Sequence, residues 1–187
     1  EVLKRLAIAF IPTGIIGYTL YGVVKNVFLG SETIVLWALF LGGATLVVFE
    51  LFHKEKEDAP EHVEQISYLQ SVLIGACQGI AIIPGVSRSA ATIVGGLILG
   101  IKRVAIVEFS FLLAVPTMAA ATSYDIFKNT SVLSSENTLA LGVGFVTAFV
   151  VALFAIKFLL SFIKTHSFIS FGIYRIIIAG LFFLLIL

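Results

Sequence analysis

The amino-acid sequence predicts an all-α polytopic membrane protein, with five spanning helices plus one re-entrant helix pair. Three observations predict it. Of 187 residues, 59% are hydrophobic and only 12% are charged, where soluble domains are nearer half apolar and a quarter charged. The mean hydropathy is +1.11; a chain this short cannot hide so many apolar side chains in one core, so its surface faces lipid. The apolar residues also fall into runs of spanning length, divided by polar breaks.

A spanning helix needs about 20 mostly apolar residues, and the stretches 6–24, 34–52, 106–124, 139–160 and 169–187 qualify. The chain opens at Glu1 and enters an apolar run without the n-region and cleavage site of a signal peptide. It is therefore read as a fragment of a longer protein, residues 1–187 forming a single transmembrane domain. The longest break, 53–67, carries Lys54, Glu55, Lys56, Glu57, Asp58, Glu61 and Glu64. Such a charged run between spans is a solvated loop, here assigned to the cytoplasm, rather than a metal site. Shorter breaks lie near 25–33, 102–103, 125–137 and 164–167.

The stretch from Tyr68 to Ile101 is apolar but too long for one span. As a single helix it would reach about 50 Å, and Pro84-Gly85 cuts it in the middle. It either crosses once, kinked, or enters and leaves on one side as two half-helices of about 20 Å. Loop charge separates these. A single crossing puts Lys4, Arg5, Lys54, Lys56 and Lys128 opposite Lys25, Lys102, Arg103, Lys157, Lys164 and Arg175, with no bias. A re-entrant pair over 69–100 gathers Lys4, Arg5, Lys54, Lys56, Lys102, Arg103, Lys157, Lys164 and Arg175 on one side, leaving Lys25 and Lys128 opposite. That is the asymmetry of the positive-inside rule, so the re-entrant pair is expected to enter from the cytoplasm. Lys157 and Arg175 then lie inside helix ends and are expected to snorkel. Gly75-xxx-Gly79 and Gly96-xxx-Gly100 are spaced for close helix packing.

Net charge is +1 and no basic run appears, which excludes nucleic acid as a partner. Cys77 is the only cysteine, so no disulfide framework or cysteine metal cluster exists.

Chemistry concentrates in Pro84-Gly85-Val86-Ser87-Arg88-Ser89. Arg88 falls inside an apolar run, and a guanidinium at membrane depth marks a functional position. Pro84-Gly85 ends the first half-helix and Ser87 suits the N-cap of the second. Free N–H groups at a helix start favour an anion, and the planar guanidinium fork matches phosphate. Thr92, four residues on, shares the Arg88 face. Gln78 sits on the opposing half-helix and could point into the same space. The residues expected at a phosphate are thus Arg88 and Ser87, with Ser89, Thr92, Gln78 and Gly85 around them. The competing reading is that Arg88 locks the bundle through a carboxylate, of which Glu50 and Glu108 are the nearest by type.

The run Gly75-Ala76-Cys77-Gln78-Gly79-Ile80-Ala81-Ile82-Ile83-Pro84-Gly85-Val86-Ser87-Arg88-Ser89-Ala90-Ala91-Thr92 resembles the second signature motif of the undecaprenyl-diphosphate phosphatases, the BacA/UppP family linked to bacitracin resistance. Glu108-Phe109-Ser110-Phe111-Leu112-Leu113-Ala114-Val115-Pro116 and Gly172-Ile173-Tyr174-Arg175 look like the same family. Ala90 departs from the glycine common in that motif. The resemblance implies an inverted-repeat fold, of which this chain holds the last two spans of one repeat and all of the other. It implies hydrolysis of undecaprenyl diphosphate to undecaprenyl phosphate and inorganic phosphate, recycling the carrier for cell-wall synthesis. Arg88 would bind the diphosphate, Ser87 would be a phosphate ligand or nucleophile, Thr92 would support the same group, and Gln78 would orient substrate or water. A divalent cation, Mg²⁺ or Ca²⁺, is implied, its glutamate ligands lying mostly outside this chain, which alone is expected to be inactive. The partners implied are a polyprenyl diphosphate lipid and membrane lipids, with a homodimer allowed for; the location implied is a bacterial inner membrane, multi-pass. An anionic-lipid transporter or flippase could use the same arginine cradle.

Overall fold

The structure is a computed structural model that describes residues 1–28, 30–128, 138–163 and 166–186. Lys164 and most of the polar break after Asp125 lie outside the described residues, as do the side chains of Lys25 and Asp125. Regular structure among the described residues is helical: α1 (Val2–Val23, continued by a π-helical turn Val24–Phe28), α2 (Glu32–Phe52), α3 (Tyr68–Ile80), α4 (Arg88–Ile98), α5 (Arg103–Lys128), α6 (Thr138–Phe162) and α7 (Ile169–Ile186). This is a multi-pass membrane protein. α1, α2, α5 and α6 are long and apolar enough to cross a bilayer. α7, with 18 residues, reaches about 27 Å, close to the ~30 Å hydrocarbon thickness.

α3 and α4 have 13 and 11 residues, about 20 Å and 16 Å, each too short to span. They form an antiparallel hairpin. Gln70 Nε2 near the start of α3 donates to Leu99 O just past the end of α4, at 3.1 Å, and the Gln78 end of α3 meets Arg88 at the start of α4. Ser67 caps α3 through a reciprocal box with Gln70, which satisfies N–H groups that a helix start leaves free.

Both ends of the hairpin lie at one end of the bundle, and an ion-pair clasp fixes this. Arg103, opening α5, places Nη1 2.7 Å from Glu50 Oε1 near the end of α2 and Nε 3.4 Å from Glu55 Oε1. Its Nη1 also donates to His166 O, and Phe168 N donates to Glu50 Oε1. Lys102 N donates to Pro60 O at 2.9 Å, and Arg5 Nε donates to Ile66 O. The starts of α1, α3, α5 and α7 and the ends of α2, α4 and α6 thus share that end.

The core joins α1, α3, α4 and α5 through Ala9, Ile74, Leu97, Ile106, Phe109 and Leu113. α2 packs along α7. The expected glycine packing holds at Gly75, where a Cβ would collide with Ala9 O of α1, and at Gly96, where it would collide with Ile106 of α5. Gly100 does otherwise: it adopts φ +73° with open space around it, and serves the turn that ends α4. α6 stands off the bundle, exposed from residue 139 through 155.

Candidate active site

The tip of the hairpin is built by what its residues cannot do. α3 unwinds through tight turns, Ala81 N donating to Gln78 O and Ile83 N to Ile80 O. Pro84 has no N–H to continue the helix. Gly85 takes φ +92°, a left-handed conformation that costs a residue with Cβ, and its face meets the Val35 carbonyl and Ala38 of α2. Val35 is fifteen positions from Glu50 along α2, roughly 22 Å, so the tip lies deep in the bundle. Ser87 is the N-cap of α4, its Oγ accepting from Ala90 N at 3.2 Å.

Arg175 does not snorkel, correcting the expectation from sequence. Its Nη2 donates to Gly85 O at 2.8 Å, and its guanidinium lies over Gly42 of α2, where a Cβ would stand 2.7 Å from Nη2. The physical reason is a carbonyl freed by the turn at membrane depth, which needs a donor more than the arginine needs water.

Arg88 and Gln78 come together as expected. Gln78 is 2% exposed. Its Nε2 donates to Thr13 Oγ1 of α1 at 3.3 Å and to Thr117 Oγ1 of α5 at 3.1 Å. Its Oε1 accepts from Arg88 Nη1 at 3.4 Å. None of the ion pairs among the described residues involves Arg88. The carboxylate-lock reading therefore finds no partner there, and Glu50 is taken by Arg103. Arg88 has one hydrogen bond for its five N–H donors.

Both residues line a cavity of about 860 Å³ between α1, the hairpin and α5. Its polar end holds Arg88, Gln78, Thr13 and Thr117; apolar and small residues, among them Phe10, Gly17 and Ala121, form the rest, with Tyr21 and Tyr124 near the far end. Lys128 Nζ lies 5.5 Å from both tyrosine rings. A cationic end joined to an apolar trough suits a ligand with an anionic head and a hydrocarbon tail.

The other expected residues sit outside this lining. Thr92 is fully buried; its Oγ1 contacts Ser110 Oγ at 2.6 Å and donates to a carbonyl of its own helix, Arg88 O or Ser89 O. It pins α4 to α5 and does not reach the cavity. Ser87 serves as the cap, Ser89 is half-buried, and Gly85 faces α2. Sequence reasoning missed Thr13, Thr117 and the Arg175–Gly85 bond. The signal was there: Pro12-Thr13 and Pro116-Thr117 each put a proline and a hydroxyl in the middle of a span.

Mg²⁺ and Ca²⁺ take several oxygen ligands, carboxylates prominent among them. The Arg88 end of the cavity offers a guanidinium, an amide and hydroxyls, with no Asp or Glu among its described lining residues. No group of three His, Cys, Asp or Glu able to hold a metal occurs among the described residues. These side chains do not fit a divalent cation, and no step is assigned through one.

The model of the family described as bacitracin resistance protein BacA matches residues 1–181. The undecaprenyl-diphosphatase of Sulfurihydrogenibium sp. is 51% identical over 184 residues, covering 98% of this chain and 72% of its own length. That of Wolinella succinogenes is 52% identical over 182 residues, 97% of this chain and 70% of its own. That of Campylobacter jejuni is 47% identical over 186 residues, 99% and 69%.

Proposed function

The chain belongs to the bacitracin resistance protein BacA family, and from that premise we propose that it supplies the arginine end of a membrane active site hydrolysing undecaprenyl diphosphate. Water attacks the terminal phosphorus and the phosphoanhydride P–O bond breaks. Undecaprenyl phosphate and inorganic phosphate leave, returning the carrier lipid to cell-wall synthesis and opposing bacitracin. The observation that carries the reading is Arg88: a guanidinium without an ion-pair partner among the described residues, at one end of a largely apolar cavity.

Phosphoryl transfer is catalysed chiefly by positioning and by stabilising charge on the phosphate oxygens. The Arg88 N–H groups not used by Gln78 supply that charge. The start of α4, which carries Arg88, adds its dipole. Ser87 keeps its hydroxyl proton to donate, because Oγ acts as acceptor in the cap. Thr92 holds the helix that carries Arg88. The α3–α4 hairpin is proposed to be re-entrant, since both its ends share one end of the bundle. A divalent cation belongs to the proposal as a group held by residues other than these.

The bacterial cytoplasmic membrane is the compartment proposed. The exposed length of α6 leaves room beside it for a second copy of the chain, and cross-linking in the membrane reads out such a homodimer. The test of function uses the intact protein in detergent, with phosphate release from undecaprenyl diphosphate as readout. Arg88→Ala is expected to lower turnover by about 100-fold or more; unchanged release removes Arg88 from the mechanism. Lipid movement without phosphate release would favour a transporter.

A further inference from the structure

Gln78 is held by more than packing. Thr13 Oγ1 lies 2.8 Å from Gly75 O and 3.2 Å from Ala9 O, and donates its one proton to a carbonyl. Thr117 Oγ1 donates to Leu113 O at 2.6 Å. Each hydroxyl proton is therefore committed, and each oxygen can only accept from Gln78. The two amide N–H groups of Gln78 meet these two oxygens. Turning the amide over would set its carbonyl against two oxygens without protons, and its NH₂ against the Arg88 guanidinium. Such an arrangement loses three hydrogen bonds inside a buried site, where unmade bonds are costly. One orientation survives, with Oε1 facing Arg88 Nη1.

We propose that Thr13 and Thr117 are positioning residues, which lock the Gln78 amide so that its carbonyl oxygen aims the Arg88 guanidinium at the substrate diphosphate. The inference rests on the phosphatase reading above. It assigns α1 and α5 a part in aiming the arginine carried by the hairpin. Each helix brings a hydroxyl to the same nitrogen. A guanidinium is a planar fork whose value at phosphate depends on its angle. Anchoring one Nη1 hydrogen bond removes rotation that substrate would otherwise have to freeze. The threonines act through Gln78 and Arg88: their hydroxyl protons go to main-chain carbonyls and their oxygens accept from the Gln78 amide.

The test measures steady-state phosphate release from undecaprenyl diphosphate by the intact protein in detergent. Valine keeps the shape of threonine and removes the hydroxyl; serine keeps the hydroxyl. Thr13→Val with Thr117→Val is expected to lower kcat about tenfold, with KM changed less than about threefold, because aim matters most in the transition state. Thr13→Ser with Thr117→Ser is expected to stay within about threefold of the parent kcat. Valine protein that keeps kcat within about twofold overturns the proposal, as does a loss carried by KM alone, or serine protein that falls as far as valine. Should the double valine protein fail to fold, Thr117→Val alone is judged by the same ratios, with about fivefold loss of kcat expected. Failure of the unsubstituted protein to release phosphate would overturn the phosphatase reading itself. Normal release with unaffected valine variants would overturn only the role of the threonines.

Discussion

At the scale of single residues, two positions carry most of what is special about this chain. Gly85 combines φ +92° with a face pressed on the Val35 carbonyl, and its own carbonyl accepts from Arg175. Gly85→Ala is expected to destabilise the protein by about 1–3 kcal/mol, because the left-handed backbone and the close approach both oppose a Cβ. Thermal unfolding in detergent measures it, and an unchanged midpoint would show that the tip relaxes freely. Arg88 is the second position. Arg88→Lys keeps the charge but loses the fork and the anchored Nη1, so it is expected to recover less than about a tenth of the parent turnover. Full recovery by lysine would mean that charge alone suffices, against the geometric role given to Gln78.

At the scale of elements, the same helices do different work at their two ends. Toward one end, α5 is clasped to α2 by Arg103, whose partner Glu50 has a side chain only 2% exposed. Arg103→Ala leaves that carboxylate buried without its cation, and about 3 kcal/mol of stability is expected to be lost. Glu61→Ala removes an exposed partner of Lys102 and is expected to cost under about 1 kcal/mol. Equal effects in chemical or thermal unfolding would contradict the clasp. Deeper in the bundle, α1 and α5 form the walls of the cavity. A Cβ on Gly17 meets nothing within 4 Å, so Gly17→Leu grows into the cavity without forcing α1 from its neighbours. It is expected to lower kcat/KM for the lipid diphosphate about tenfold. Gly180→Leu, at an exposed position of α7 and equally unobstructed, serves as the neutral comparison. Matching losses at both sites would argue against substrate in the cavity.

At the scale of the molecule, the hairpin decides the topology. Because α3 and α4 return to the end they left, α5 starts beside the end of α2, and the 53–67 loop meets Lys102 and Arg103 at one end of the bundle. Single cysteines at 54 and at 102, in a Cys77→Ser background, are expected to react with an impermeant thiol reagent only in inside-out vesicles. Labelling of either in intact cells would reverse the orientation drawn from loop charge. The expectation that Arg175 adds to that charged side is the part that failed: its guanidinium points along the bundle to the tip. The remaining asymmetry does not depend on it, since Lys4, Arg5, Lys54, Lys56, Lys102 and Arg103 all belong to helix ends or loops at one end.

By itself the sequence determined the helical class, the approximate limits of the long apolar helices, the break at Pro84-Gly85, the cap at Ser87 and the singling out of Arg88. These follow from local causes: apolar run length, backbone limits of proline and glycine, and the charge cost of lipid burial. Only the tertiary structure decided where hydroxyls and charges find partners. Thr92 looked like a phosphate ligand because it shares a helix face with Arg88, but Ser110 of α5 takes its hydroxyl. Thr13 and Thr117 looked like minor polar residues in spans, until α1 and α5 brought both to one amide. Arg175 looked like a residue reaching for water, until a turn far away in sequence offered it a carbonyl. A hydrogen bond needs a partner within about 3 Å, and partners separated by 39, 65 and 90 positions are set by packing that no local pattern contains.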